Sequence, residues 1–307
     1  MDKKDIISIS ELSSEEINEI LQKAEELEAL EREKQLELLK GKVIACLFYE
    51  PSTRTRDSFK TAIARMGANA IGFDSAESTS GKKGESLHDT IKMYDGYTDL
   101  IVMRHNKDGS AKLASEVAKI PVINAGDGKN QHPTQTLLDL YTIKKIHGSL
   151  FNLNVALVGD LKYGRTVHSL AQALNKFNCR IFLVSPESLK IPEHLTEELK
   201  NYSEHGQIQD VLDKADILYM TRIQRERFAD ENEYQKVKNV YMLDAGMLKN
   251  VRPNMKVLHP LPRVNEINKS VDDTPYAHYF EQAKNGVITR MALLGMLLGA
   301  KWQKTKD

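Results

Sequence analysis

An excess of charge of either sign is missing from this chain: Lys plus Arg and Asp plus Glu both total 43, so the formal net charge is zero. A nucleic-acid binder normally carries a basic excess or stripe, and that class is set aside. Cysteine is nearly absent. Cys46 and Cys179 each sit in or beside an apolar run and read as buried free thiols, not as a disulfide or metal pair. No cluster of His, Cys, Asp or Glu has zinc-ligand spacing, so no metal and no cofactor are expected. Long hydrophobic runs are lacking too. The strongest, Met291 to Ala300, falls short of the ~20 residues a membrane span needs. Its Gly295-x-x-x-Gly299 spacing reads as a close helix contact in a soluble core. The opening Met-Asp-Lys-Lys-Asp is charged and has no apolar h-region, so a cytoplasmic location is expected.

What is present is an alternation. Ser13-Ser-Glu-Glu16 is a capping-box pattern, and Ile17, Ile20, Leu21, Ala24, Leu27 and Leu30 follow at helical spacing. After Gly41, residues 43–49, 70–73, 100–104 and 122–124 read as strands, with helices starting near Pro51, Glu85 and Ser110. A second set follows at 154–159, 180–185, 217–220, 241–244 and 256–258. Such alternation predicts an α/β fold of two doubly wound parallel-sheet domains. At 307 residues the chain is long for one core and comfortable for two. Thr134 to His147 reads as a helix between the sets, which places the domains at 1–133 and 134–285. The segment from 286 onward reads as a last apolar helix. In such folds ligands bind beyond the carboxyl ends of the strands, so the loops there carry the chemistry.

Phe48-Tyr-Glu-Pro-Ser-Thr-Arg-Thr-Arg-Asp-Ser-Phe59 is the most informative of them. It leaves an apolar run and opens a helix, with Pro51 suited to the first turn. Ser52, Thr53 and Thr55 bring hydroxyls to the free amides of that turn, and Arg54 and Arg56 bring positive charge. Together they suit a phosphate-sized dianion. The plainer alternative is a capped helix with solvated arginines. After the third strand stands Arg104, and after the fourth a Gly-rich loop leads to His132-Pro-Thr-Gln135. Taken singly, Arg104 reads as surface and His132 as a turn residue; sharing one sheet edge with Ser52 to Arg56 favours a site.

Ser-Thr-Arg-Thr-Arg over 52–56 resembles the phosphate-binding motif of the aspartate and ornithine carbamoyltransferases. The resemblance runs from about Leu47 to Met291 through six motifs. It implies that Ser52, Thr53, Arg54 and Thr55 bind the phosphate half of carbamoyl phosphate. It further implies that Arg104 and His132, with Thr55, hold the carbonyl oxygen and Gln135 the amide. The loop Ser78 to Ser86 carries Lys82 and Lys83. By itself it is a mobile basic loop. The resemblance makes it reach a neighbouring subunit's site, with Lys83 touching both substrates and Ser80 or Thr79 touching the phosphate; spacing does not choose between these two. A homotrimer with shared sites follows from that. The last helix, 286–307, is implied to pack back on the first domain.

Gly159-Asp-Leu-Lys-Tyr-Gly-Arg-Thr166 approaches the nucleotide-binding Gly-x-x-x-x-Gly-Lys-Ser/Thr pattern, but Arg165 stands in place of the lysine. Leu243-Asp244 is only a faint candidate for the metal-binding aspartate of that class. The stretch instead resembles an aspartate carbamoyltransferase segment nearly residue for residue, which implies that Arg165 binds a carboxylate of aspartate. The match at Tyr219 to Arg227 implies the same of Arg222 and Gln224. His-Pro260-Leu-Pro-Arg263 is a stiff turn, in which the resemblance makes Pro260 and Leu261 face the incoming amine. Glu50, Glu226 and Arg227 resemble the family's ion pairs between domains. Arg54, Thr55, Lys83, Arg104 and His132 are the expected catalytic set. Nothing pairs a nucleophile with a base, so a covalent intermediate is not expected.

Aspartate brings two carboxylates, which Arg165, Arg222 and Lys83 suit, whereas the side-chain amine of ornithine would be repelled. The expected reaction is carbamoyl transfer from carbamoyl phosphate to L-aspartate, early in pyrimidine synthesis. Ornithine is the alternative acceptor, and a non-catalytic scaffold of the same fold is the alternative from another class. Separate regulatory chains are a partner the residues leave open, although Pro260-Leu-Pro-Arg-Val resembles members that have one.

Overall fold

The structure, a computed structural model, describes residues 4–78, 84–223, 225, 228, 230–238 and 240–302. The chain divides into two compact units, one formed by 1–141 with 284–307 and the other by 142–283.

In the first unit four parallel strands stand in the order β2-β1-β3-β4, with β1 Val43–Phe48, β2 Asn69–Phe73, β3 Leu100–His105 and β4 Val122–Asp127. The central strands are near-continuous apolar runs because helices cover both faces of a parallel sheet. Ile44 to Phe48 and Leu100 to Met103 are accordingly buried throughout. Helix α1, Ser14–Glu28, starts on the expected capping box: Ser13 accepts from the Glu16 amide and the Glu16 side chain accepts from the Ser13 amide. A short α2, Arg32–Glu37, precedes the sheet, and α3, Thr53–Arg65, α4, Leu87–Asp95, and α5, Ser110–Val117, link its strands. Ile6 pairs alongside Ile123 and covers the outer edge of β4.

The second unit repeats the plan with five parallel strands in the order β7-β6-β5-β8-β9: β5 Asn154–Val158, β6 Arg180–Val184, β7 Tyr202–His205, β8 Ile217–Met220 and β9 Lys256–Leu258. Ala156, Val158, Phe182, Leu218, Met220 and Val257 pack in its core. Helix α6 is Pro133–His147, α7 is Arg165–Lys176, and α8, Glu193–Thr196, and α9, Glu231–Val237, are short. The division between units falls within α6 and again within the final helix α10, Tyr279–Leu297.

Three expectations need correction. Tyr241–Asp244 forms no strand; Leu243 makes a single bridge to Ile267, and the Asp244 carboxylate turns the chain by accepting from the Met247 amide. β7 was not foreseen, because Tyr-Ser-Glu-His is a polar edge strand without an apolar run. The final helix starts at Tyr279, earlier than expected, and ends at Leu297, before Gly299 at a φ of +70°. Trp302 lies past it, buried, with its indole donating to the Lys23 carbonyl.

Candidate active site

In each unit the strand order reverses at one place, between β1 and β3 in the first and between β5 and β8 in the second. The crevice at such a switch point, beyond the strands' carboxyl ends, is where open α/β sheets bind ligands. The expected residues within the described part of the chain stand at these two edges.

In the first unit, α3 leaves β1 with Ser52 as its extended N-cap. The Ser52 hydroxyl makes no capping bond, whereas Ser13 and Ser86 cap α1 and α4 with theirs. The opening turn of α3 is thus held without the side chain that normally satisfies its amides, leaving that hydroxyl for a ligand. Thr53 and Arg54 are exposed and Thr55 is buried. Arg56 is different. It is tied to Asp57 at 3.0 Å and Asp74 at 2.7 Å, contacts that compete with an anion for its guanidinium.

Arg104 stands opposite Phe48 at the end of β3, where the pairing with β4 slips by a residue. A bulge of this kind re-aims a side chain. Its guanidinium donates to Glu50 at 3.2 Å and to the Ala125 carbonyl at 3.4 Å, spanning the ends of β1 and β4. His132 is buried and its carbonyl accepts from the Gln135 and Thr136 amides. Pro133 follows as the first residue of α6, the helical position that tolerates proline best. Gln135 is buried, and its Nε2 donates to Asp139 at 2.9 Å.

The residue that sequence reasoning missed here is Asp127. Fully buried, it accepts from the side chains of Asn124 and Asn130 and from the Gly109 and Gln131 amides, and so braces the loop that delivers His132. The only signal was an acidic residue inside a Gly-rich tract.

In the second unit Arg165 opens α7 and is buried. Its loop is locked by the buried Asp160 carboxylate, which accepts from the Tyr163 amide, and by the His168 Nε2 contact with the Leu161 carbonyl at 2.7 Å. Burial pushes the His168 pKa down, which keeps that ring neutral. Gly159 has a φ of +121°, and a Cβ there would stand 2.4 Å from the Thr221 carbonyl oxygen. Only glycine allows the loops after β5 and β8 to meet so closely, and this brings the chain entering Arg165 beside the one leading to half-buried Arg222.

Beyond β9, Pro260 and Leu261 are part-buried, and Leu261 adopts a φ of +52°. His259 and Glu266, a buried pair the sequence reading did not single out, hold this turn. Lys83, Ser80, Thr79, Gln224, Glu226 and Arg227 lie outside the described residues.

The nucleotide reading of Gly159 to Thr166 loses its one candidate metal-binding aspartate, since exposed Asp244 closes no strand. A cavity of about 550 Å³ lies at the ends of β6 and β7, lined by Ser185, Glu187, Lys190, Glu204 and His205, and none of the expected residues lines it. Among the described residues no group of three or more His, Cys, Asp and Glu could hold a metal ion, and no helix is long and apolar enough to cross a membrane.

The arrangement offers hydroxyls, an arginine and a histidine at one sheet edge, and arginines suited to carboxylates at the other. Comparison with known proteins finds a match for each half of the chain. Residues 4–145 match the carbamoyl-P binding domain of the aspartate/ornithine carbamoyltransferases, and residues 151–297 match their Asp/Orn binding domain. The chain belongs to the aspartate/ornithine carbamoyltransferase family. Among relatives in this family, the aspartate carbamoyltransferase catalytic subunit of Thermococcus onnurineus is 54% identical over 301 residues, 96% of this chain and 97% of that protein. That of Vibrio campbellii is 56% identical over 303 residues, with coverage of 96% and 97%. Among solved structures, the catalytic subunit of M. jannaschii aspartate transcarbamoylase superposes with a TM-score of 0.90 at 48% identity, covering 97% of this chain and 98% of that one. Aspartate transcarbamoylase from Trypanosoma cruzi in complex with carbamoyl phosphate and aspartate gives 0.89 at 37% identity, covering 95% of each.

Proposed function

We propose that this carbamoyltransferase moves the carbamoyl group of carbamoyl phosphate to the amine of L-aspartate, giving N-carbamoyl-L-aspartate and phosphate. What supports the reading is that Ser52 to Thr55 and Arg104 follow β1 and β3, and Arg165 and Arg222 follow β5 and β8, the strands that flank the two switch points.

In this reading Ser52, Thr53, Arg54 and Thr55 hold the phosphate at the start of α3. Thr55, Arg104 and His132 donate to the carbonyl oxygen as negative charge builds on it, and Gln135 accepts from the carbamoyl amide. Arg165, Arg222 and Gln224 bind the carboxylates of aspartate, while Pro260 and Leu261 meet its amine. The amine attacks the carbonyl carbon, the bond from that carbon to the phosphate oxygen breaks, and the amine proton leaves with the phosphate. Much of the acceleration is positioning of two mutually repelling anions. In the same reading Lys83, with Ser80 or Thr79, serves the site of a neighbouring subunit in a homotrimer, and the enzyme works in the cytoplasm.

Purified protein mixed with carbamoyl phosphate and either aspartate or ornithine tests this by the colour of ureido product. Product with aspartate alone is expected. Product with ornithine alone would overturn the acceptor assignment, and no product from folded protein would favour the scaffold.

A further inference from the structure

Asp139 lies one helical turn beyond Gln135 on α6, fully buried, with its Oδ1 accepting from Gln135 Nε2 at 2.9 Å. Its charge acts on Arg290 of α10, a guanidinium that is itself buried. Desolvation pulls Arg290 down to about 10, and the Asp139 carboxylate opposes that fall. Arg290 is anchored on two further sides: Nη1 donates to the Gly286 carbonyl at 3.0 Å, and the guanidinium lies over the Phe59 ring of α3, 5.0 Å from its centroid. Gly286 makes the approach of α10 to α6 feasible, because a Cβ there would stand 2.4 Å from Arg290 Nη1 and 3.1 Å from Leu138 Cδ2.

A primary amide has a donor end and an acceptor end, and a half-turn exchanges them. A carboxylate accepts only, so Asp139 commits the nitrogen end of Gln135 and leaves Oε1 for a ligand. A carbamoyl group presents N–H donors and is met by the correct end. An acetyl group presents a methyl and gains nothing from it.

We propose that Asp139 is a positioning residue that fixes the orientation of the Gln135 amide and so makes the site prefer an acyl phosphate bearing an amino group over one bearing a methyl group. This rests on the assignment of Gln135 to the carbamoyl amide made above.

The test compares dissociation constants of carbamoyl phosphate and acetyl phosphate on purified protein. Asp139→Leu combined with Arg290→Met removes both buried charges at similar volume, a change proteins often tolerate. The preference for carbamoyl over acetyl phosphate is expected to fall about tenfold, the scale of one lost hydrogen bond, with acetyl phosphate and inorganic phosphate binding unchanged. Asp139→Asn combined with Arg290→Met also removes both charges and lets residue 139 turn a donor as well as an acceptor toward Gln135, so it too should lower the preference, and it serves if the first double variant folds poorly. An unchanged preference, or an equal loss of both ligands, would overturn the proposal. Gln135→Ala separates the layers. If it lowers the preference and the Asp139 variants do not, the positioning role alone fails; if it leaves the preference intact, the assignment of Gln135 fails with it.

Discussion

His259 and Glu266 meet at 2.7 Å, Nε2 to Oε1, in a buried contact that settles which ring nitrogen carries the proton. The Leu261 amide lies 2.7 Å from His259 Nδ1 and only donates, so Nδ1 accepts and Nε2 bears the hydrogen given to Glu266. Glu266 also accepts from the Val264 and Asn265 amides, and Gln282 accepts from the His259 amide. Two side chains thereby hold Leu261 at a positive φ that a leucine rarely adopts unaided.

His259→Ala should therefore raise the KM for aspartate about tenfold or more while leaving carbamoyl phosphate binding near its original value. Steady-state kinetics with each substrate varied in turn will check it, and equal loss of both would mean that the turn is not specific to the acceptor.

His132→Ala should lower kcat about a hundredfold or more, the scale of removing one oxyanion donor, and leave measurable product. Residual turnover distinguishes a group that polarises the carbonyl from an obligatory base. Complete loss from protein that folds and binds both substrates would contradict the role.

Gly159→Ala places a methyl against Thr221 at a φ of +121°. It should destabilise the second unit by ~1–3 kcal/mol and weaken aspartate binding, because the two loops must part. Denaturant midpoints and the aspartate KM are the readouts; a variant matching the parent in both would remove the close approach from the account.

Stability should fall in acid. The hydrogen bond from Arg263 holds the Asp272 carboxyl below its ordinary value of 3.8. Burial raises Asp99 and Glu266, yet bonds from Lys42 and His259 outweigh it and leave both below their ordinary 3.8 and 4.5. Depressed carboxylates stabilise the fold above their unfolded values and lose that contribution as pH falls through the folded ones. The melting temperature should hold from about pH 7 to about pH 5 and drop below about pH 4. Asp99→Asn should flatten part of that drop; an unaltered profile would remove Asp99 from it.

Strands such as Val43–Phe48 and Asn154–Val158 were legible because burial on two faces writes an unbroken apolar run. The candidate site residues could be singled out for a related reason: functional loops follow strands, and their residue types were unusual. Contacts set by tertiary placement were not legible. Arg56 finds Asp74 only once β2 lies beside β1, and Asp127 braces a loop by gathering partners from Gly109 to Gln131. Gln135 and Asp139 stand four apart on a helix, so their pairing was open to prediction; what the pairing does required knowing that both are buried. β7 and Tyr241–Asp244 mark the limit of pattern reading, since an edge strand needs no apolar run and a strand-like run can end in a turn.

The two switch points give each unit an autonomous trade. The half holding the first matches a carbamoyl-P binding domain, and the half holding the second matches an Asp/Orn binding domain. A change of acceptor would then fall mainly on the turns beyond β5, β8 and β9. A family whose second half is described for either of two amino acids, and whose first half for one shared substrate, is divided along that same line.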